Sequence, residues 1–506
     1  MYCSESGYSS HVACWKHHTW DELLEYPRTL TQRSKRTYNA SSNCLQVWLN
    51  ERQHDWQATS RNTSSTERFA RWTNQNQKTS AYQIPSESDH DLKLDVVSNE
   101  HEGNSEQGVS QDGTLNITPS GQHPRRVLCL MSDTGGGHRA SAQALKDCFE
   151  LIHGNDFVVH IVDLWSSCSP WPFNKMPEGY FFLVKNPWLW RLNFRCSEPR
   201  FIHEVMFKGY SAIVANHFAR EFDKIDPNLI VSVHPLMQHV PLTILRRMKN
   251  HSAVPTVPFA TVVTDLTRCH ATWFHKDVDK CFVATDLVAK QAFRLGLRLE
   301  QVVCHGLPIR PSFSAPSRSK RDVRAKLGLD VEAPTVMLVG GGEGMGKLKE
   351  TAVALSQTLS SSHQVVVICG RNAKLNEFLR EQSWPLKMVV KGFVNNMAEY
   401  MAACDCVISK AGPGTIAEAL ICGVPIVLNG CIPCQEEGNI PFVIDNQVGA
   451  YSEIPQTIAQ TVAGWLAPEN ATQLSMMSSR ARALGRPDAT FDIVRDLVEM
   501  IETRKN

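Results

Sequence analysis

The sequence predicts an α/β protein made of two Rossmann-like, doubly wound domains that face each other across a cleft. Three observations carry this. From Arg126 onward, short apolar runs of strand length alternate with helix-length segments, the pattern of a parallel sheet covered by helices on both faces. The alternation stops at a Pro/Ser-rich stretch, Pro308–Pro316, and then restarts. Each half opens with a strand that runs into a glycine-rich turn, Ser132–His138 in the first and Gly340–Gly346 in the second. One such turn per domain points to a ligand held between the domains.

The elements follow in order. In the first half, Val127–Met131 is a strand, and the helical spacing of Ala142, Leu145, Cys148 and Phe149 follows its turn. Val158–Val162, Leu229–Val233, Thr256–Val263 and Lys280–Val283 read as further strands. In the second half the strands are Thr335–Val339, Val365–Cys369, Lys387–Val390, Cys406–Ile408 and Pro425–Leu428. Phe491–Glu502 is apolar at helical spacing and is expected to pack back on one of the two units. The expected domains are 122–313 and 314–487, with a C-terminal helix in 488–506.

The 506 residues carry 52 Lys+Arg against 51 Asp+Glu. This balance gives no reason to expect nucleic acid as a partner. No run approaches the ~18 uninterrupted apolar residues of a membrane-spanning helix. The 16 cysteines are scattered, several inside strands, which reads as a reducing compartment rather than a disulfide framework. Cys431 and Cys434 form the one C-x-x-C, without a second pair at zinc-finger spacing. They read as two unlinked thiols in a loop, with a redox-sensitive pair and a metal site as the alternatives.

Residues 1–121 differ from the rest. Positions 29–86 hold eight Lys/Arg against three acids, and 87–121 hold eight acids against one Lys. The first part suits an organelle transit peptide, although Asp21, Glu22 and Glu25 depart from that pattern, and the second reads as a disordered acidic linker. A plain disordered extension is the alternative.

A glycine turn after a first strand lets backbone N–H groups approach a phosphate at the positive end of a helix. Neither turn is a Walker motif, and neither has the full dinucleotide spacing. A more specific cluster is Ser409–Pro425. There Gly412 and Gly414 open a helix suited to a diphosphate, and Glu418, about one turn in, could hold a ribose diol. Gln435-Glu436-Glu437-Gly438-Asn439 is a polar loop able to grip sugar hydroxyls.

These motifs, with Met131–Ser141 (MSDTGGGHRAS), Trp171–Asn174 (WPFN), Val263–Asp265, Thr272–His275 and Gly306–Ser312 (GLPIRPS), resemble one glycosyltransferase family. That family contains the bacterial lipid II-forming N-acetylglucosaminyltransferase, and the likeness is closer to its monogalactosyldiacylglycerol synthases. It runs from about Val127 to about Val498. It implies a GT-B fold, UDP-galactose as donor, diacylglycerol as acceptor, and peripheral attachment to the plastid envelope. It also implies that Arg310, Gly341, Gly342, Glu343, Arg371, Phe393, Gly412, Pro413, Gly414, Thr415, Glu418, Gln435, Glu436 and Asn439 bind the UDP-sugar. The family usually has Gly where this chain has Cys434, which would stiffen the sugar loop.

An inverting transfer needs a base for the acceptor hydroxyl and stabilisation for the departing UDP. His138, at a helix start beside three glycines, is assigned as the base, since that position tends to keep an imidazole neutral. Asp265, at the end of a strand in the same domain, either orients His138 or the acceptor, or is a structural turn acid. No metal is required, and no D-x-D pair in the second domain points to one.

Residues 165–201 interleave aromatic and basic side chains, including Trp171, Pro172, Phe173, Lys175, Trp188 and Trp190. The mix suits a membrane surface with anionic lipid, and a buried aromatic cluster is the alternative. Pro172 resembles a family position linked to activation by anionic lipid such as phosphatidylglycerol or phosphatidic acid. A homodimer is left open. The competing readings are a UDP-glucose-dependent lipid glycosyltransferase, a hydrolysing UDP-sugar epimerase, and a non-catalytic nucleotide-sugar or lipid-binding module.

Overall fold

The computed structural model describes residues 123–251, 257–314, 319–342, 344 and 346–503. The leader and acidic linker expected over 1–121, and Glu343, lie outside the described residues.

Two six-stranded sheets form, each wholly parallel. The first contains β1 (Arg125–Met131), β2 (Phe157–Asp163), β3 (Leu229–Ser232), β4 (Phe259–Val262), β5 (Lys280–Val283) and β6 (Val302–Cys304), in the order 2-1-3-4-5-6. The second contains β7 (Thr335–Val339), β8 (Gln364–Ile368), β9 (Lys387–Lys391), β10 (Cys406–Ser409), β11 (Ile426–Leu428) and β12 (Gly449–Tyr451), in the order 12-11-10-7-8-9. This is the pair of Rossmann-like domains expected from the sequence. β6 and β12, three residues each at a sheet edge, escaped the sequence reading because runs that short carry no usable period.

Alternation along β1 sends Leu128 and Leu130 to one face and Val127, Cys129 and Met131 to the other. The first set packs under the long helix Arg200–Ile225 through Phe207, Val214, Phe218 and Phe222. The second packs against helix Gly136–His153 and the C-terminal helix Ala489–Glu502, which supplies Ile493, Val494 and Leu497. That last helix follows the second domain in sequence but covers the first. Its Thr490 hydroxyl bonds both the N–H and the carbonyl of Ile309, at 2.9 and 2.6 Å.

The Pro/Ser-rich linker is less loose than its composition implied. Leu307, Ile309 and Phe313 are buried among the core residues of the second domain. Apolar residues at alternating positions fix it as it crosses.

In each sheet the winding direction reverses between the first strand and its inner neighbour: β1 and β3 in one, β7 and β10 in the other. Ligands bind at such switch points, outside the carboxyl ends of the strands. Both glycine turns, and the Gly412 turn, lie there.

Candidate active site

The first switch point is built on Asp163 at the end of β2. Its carboxylate accepts from Asp133 N–H at 3.0 Å and from the N–H groups of Trp165 and Ser166, fixing the turn that leaves β1. Gly135 then adopts φ 109°, a conformation that favours glycine. No atom lies within 4 Å of where a side chain would project from Gly135, Gly136 or Gly137. The turn is bordered by open space, and His138 sits in the first turn of the helix behind it.

His138 Nδ1 lies 2.9 Å from the Val233 carbonyl and 3.0 Å from Thr264 Oγ1. A carbonyl only accepts, so Nδ1 carries the proton and Nε2 keeps its lone pair. Burial lowers the imidazole to about 4, although the Val233 bond works in the opposite direction. His138 is therefore neutral near pH 7. His234, which the sequence reading missed, stands edge-on with ring centres 4.5 Å apart. His234 accepts from Leu236 N–H and lies 2.9 Å from Thr134 Oγ1, which ties the β3 exit to the glycine turn. The signal available in sequence was the His-Pro pair directly after a strand.

Asp265 does not orient His138; the Val233 carbonyl and Thr264 do. Its carboxylate accepts from Trp273 Nε1 at 2.7 Å. Burial pushes Asp265 up to about 7, against the lowering effect of that bond and with the negative charge of Glu436 adding to the rise. Trp273 stands between the two groups, its ring centre 6.0 Å from that of His138. A buried carboxyl poised near neutrality is a frequent mark of a functional site.

At the second switch point, the Gly340 turn packs on the β8 exit. A side chain at Gly344 would meet the Cys369 carbonyl oxygen at 2.2 Å, so only glycine allows the approach. Arg371 donates its N–H to the Gly342 carbonyl at 2.8 Å, and its guanidinium lies 5.3 Å from the centre of the exposed Phe393 ring. Gly341, Gly342, Arg371 and Phe393 thus come together.

Gly412 caps the helix Pro413–Cys422, with Pro413 at its first position and open space beside Gly414. Thr415 follows in the same turn. Glu418, its side chain 14% exposed, accepts from Arg310 Nη2 at 2.9 Å, joining the linker to this helix. Burial pushes its carboxyl up and Arg310 pulls it back.

The loop after β11 corrects part of the sequence reading. Glu436 is 3% exposed, pairs with Lys410 and accepts from Ile432 N–H at 2.9 Å. Asn439 is 2% exposed; it accepts from Thr267 Oγ1 at 2.7 Å and donates to the Ala411 carbonyl at 2.8 Å. Glu436 braces the loop and Asn439 braces both the loop and the domain contact, instead of offering free groups to a sugar. Gln435 stays accessible in part, its Oε1 accepting from Tyr180 OH at 3.2 Å.

The aromatic stretch divides into two faces. Trp171 and Trp188 are 80% and 67% exposed, with Phe182, Leu192 and Phe201 also out, and Pro172 and Lys175 are at the surface. Trp190 is a correction. It is buried, packs with Phe194 and Cys434, and donates its indole N–H to the Pro433 carbonyl at 2.8 Å. Phe173 is a partial one: it lies on Trp165 and Tyr210 at the edge of the core. Among the described residues no helix is long and apolar enough to cross a membrane, and no group of three or more His, Cys, Asp or Glu could hold a metal ion.

Comparison with known proteins agrees with the resemblance. A family model described as monogalactosyldiacylglycerol (MGDG) synthase matches residues 138–309, and one described as glycosyltransferase family 28 C-terminal domain matches 335–439. The chain is 49% identical over 389 residues to a monogalactosyldiacylglycerol synthase, chloroplastic, of Spinacia oleracea, covering 76% of this chain and 74% of that one. It is 44% identical over 416 residues to monogalactosyldiacylglycerol synthase 1, chloroplastic, of Arabidopsis thaliana, covering 79% and 77%.

Proposed function

The chain belongs to the monogalactosyldiacylglycerol synthase family, and from that premise we propose that it transfers galactose from UDP-galactose to the 3-hydroxyl of 1,2-diacylglycerol, with inversion, at the chloroplast envelope. The observation that carries the chemistry is His138, with Nδ1 tied down, Nε2 unprotonated and an open glycine turn beside it.

The acceptor hydroxyl gives its proton to His138 Nε2 as its oxygen attacks C1 of galactose. The bond from C1 to the UDP oxygen breaks, and the electron pair leaves with the diphosphate. An imidazole lowered to about 4 is a weak base, so proton transfer accompanies bond formation instead of preceding it. The N–H groups at the start of the Gly412 helix, at its positive end, take up the charge that grows on UDP. Arg310 and Arg371 add positive charge, Glu418 holds the ribose, and Gln435 contacts the hexose. Asp265, beside Trp273, lies on the acceptor side.

Trp171, Trp188, Phe182 and their basic neighbours rest on the lipid surface, where anionic lipid draws the protein and raises its activity. Purified protein with UDP-galactose and diacylglycerol in phosphatidylglycerol liposomes should form a β-galactosyl lipid, read by NMR at the anomeric carbon. Formation of the α-anomer, or of free galactose alone, would sink the reading. Equal turnover with UDP-glucose would favour a broader lipid hexosyltransferase.

A further inference from the structure

Thr267 of the other domain bonds the last residue of the loop that follows β11, Cys431–Asn439, and one further element of that domain holds the middle of the loop. That element is the pair of helices Met176–Lys185 and Pro187–Ser197. Four contacts come from it. Tyr180 OH donates to Gln435 Oε1 at 3.2 Å. Trp190 Nε1–H donates to the Pro433 carbonyl at 2.8 Å. Arg191 pairs with Glu437 at 3.2 Å. Cys434 fills an apolar socket made by Trp190 and Phe194, with Tyr180 packed alongside. The loop's other supports are Lys410 to Glu436 and Asn439 to Ala411, within its own domain, and Thr267 on its last residue, Asn439.

We propose that this helical hairpin positions the donor hexose: Tyr180 fixes the side-chain amide of Gln435, Trp190 fixes the main chain at Pro433, and the sugar-contacting end of the donor site is complete only when the first domain holds it. The inference rests on the reading of Gln435 as a hexose contact.

Its physical basis is the geometry of an amide. With Oε1 engaged by a phenol, Gln435 turns its two N–H donors away from Tyr180, toward whatever occupies the site. Burial raises the Tyr180 hydroxyl far above its ordinary value, so it stays a donor at every pH of interest. Trp190 acts differently. A carbonyl at a fixed depth sets where the next residues stand, and Cys434 at φ 62° and Gln435 come directly after Pro433. Tyr180 and Trp190 are thus positioning residues. Both act through the loop, and the uridine and diphosphate contacts lie on other elements. UDP alone should be indifferent to them.

That gives a sharp test. UDP and UDP-galactose affinities are measured by calorimetry for the wild type, Tyr180→Phe, Trp190→Phe, Gln435→Ala and Tyr180→Phe with Gln435→Ala. Tyr180→Phe loses one hydrogen bond, so it should weaken UDP-galactose by about two- to tenfold and leave UDP unchanged. Trp190→Phe, which keeps a ring in the socket, should act in the same sense. In the Gln435→Ala background the Tyr180→Phe effect should vanish, because the residue it works through is gone. A Tyr180→Phe effect that persists undiminished in that background, or equal loss for UDP and UDP-galactose, overturns the proposal. Gln435→Ala that leaves both UDP and UDP-galactose affinity as in the wild type would instead defeat the underlying reading of Gln435 as a hexose contact.

Discussion

The two switch points share one topology and divide the work. Around the β1/β3 point the segments leaving β1 and β4 present titratable side chains that burial has moved far from their ordinary values: His138 down to about 4 and Asp265 up to about 7. At the β7/β10 point they present glycines, a helix start, and a partly buried carboxylate already balanced by an arginine, Glu418 with Arg310. On the proposed function, one fold then supplies a place for proton chemistry in the first domain and a cradle for a charged ligand in the second. The contrast to test is that shifted, weakly compensated groups act on protons, whereas compensated groups and main-chain donors bind.

The strongest way to break this division is at His138. His138→Ala should lower kcat by roughly 10²–10⁴-fold while UDP binding stays as in the wild type. If UDP affinity fell with kcat, the two sites would not be separable. The reverse experiment uses Glu418→Ala. Loss of a hydrogen bond to ribose should cost about 1–3 kcal/mol in binding, or roughly 5- to 150-fold. The loss should be the same for UDP and UDP-galactose, since both carry the ribose. A mutant weakened only for the sugar nucleotide would move Glu418 to the hexose end.

Asp265 sharpens the comparison through pH. Its folded value of about 7 lies above the ordinary 3.8, so folding takes up a proton between the two. The stability tied to that proton is present in full below about 3.8 and is lost as pH rises through about 7. Asp265→Asn keeps an acceptor for Trp273 Nε1 and removes the carboxylate. It should match the wild type near about pH 4 and become the more stable protein toward about pH 8, by at most about 4 kcal/mol from a shift of that size. His138 has the opposite sign: its depressed value costs stability as pH falls from 6.5 through about 4. Both proteins share that term, and it cancels in the difference of their melting curves. A difference that does not grow with pH would mean Asp265 is ionised at little cost and is an ordinary turn acid.

Much of the fold was legible because apolar runs of strand length are hard to hide. β5 and β7 begin and end where the sequence reading put them. The glycine turns were equally visible. What sequence could not give was which polar residue spends its groups on the protein itself. Glu436 and Asn439 look from their loop like sugar ligands, and only their neighbours Lys410, Thr267 and Ala411, from 26 to 172 positions away in the chain, show otherwise. Trp188 and Trp190 are two residues apart, yet the helix turns one outward and the other onto Pro433. Aromatic content alone does not separate a surface that meets lipid from one that meets another domain.

The smallest expected effect lies where those domains meet, at Cys434. Its φ of 62° is a left-handed conformation that glycine adopts freely and a side chain adopts at a cost of order 1–3 kcal/mol, and glycine is the residue the family resemblance places there. The cysteine offsets that cost by burying its sulfur between Trp190 and Phe194, where it is 4% exposed. The two terms can be pulled apart. Cys434→Gly removes strain and packing together and should change stability by less than about 1 kcal/mol in either direction. Cys434→Ala keeps the strained backbone and gives up the sulfur contacts, so it should melt below both the wild type and Cys434→Gly. Thermal unfolding of the three proteins under reducing conditions decides the order. If the alanine variant is as stable as the glycine one, the backbone at this position is not strained, and if it is as stable as the wild type, the socket contributes nothing. If it is lowest, the first domain's hold on the sugar loop includes a contact that a glycine in its place could not make.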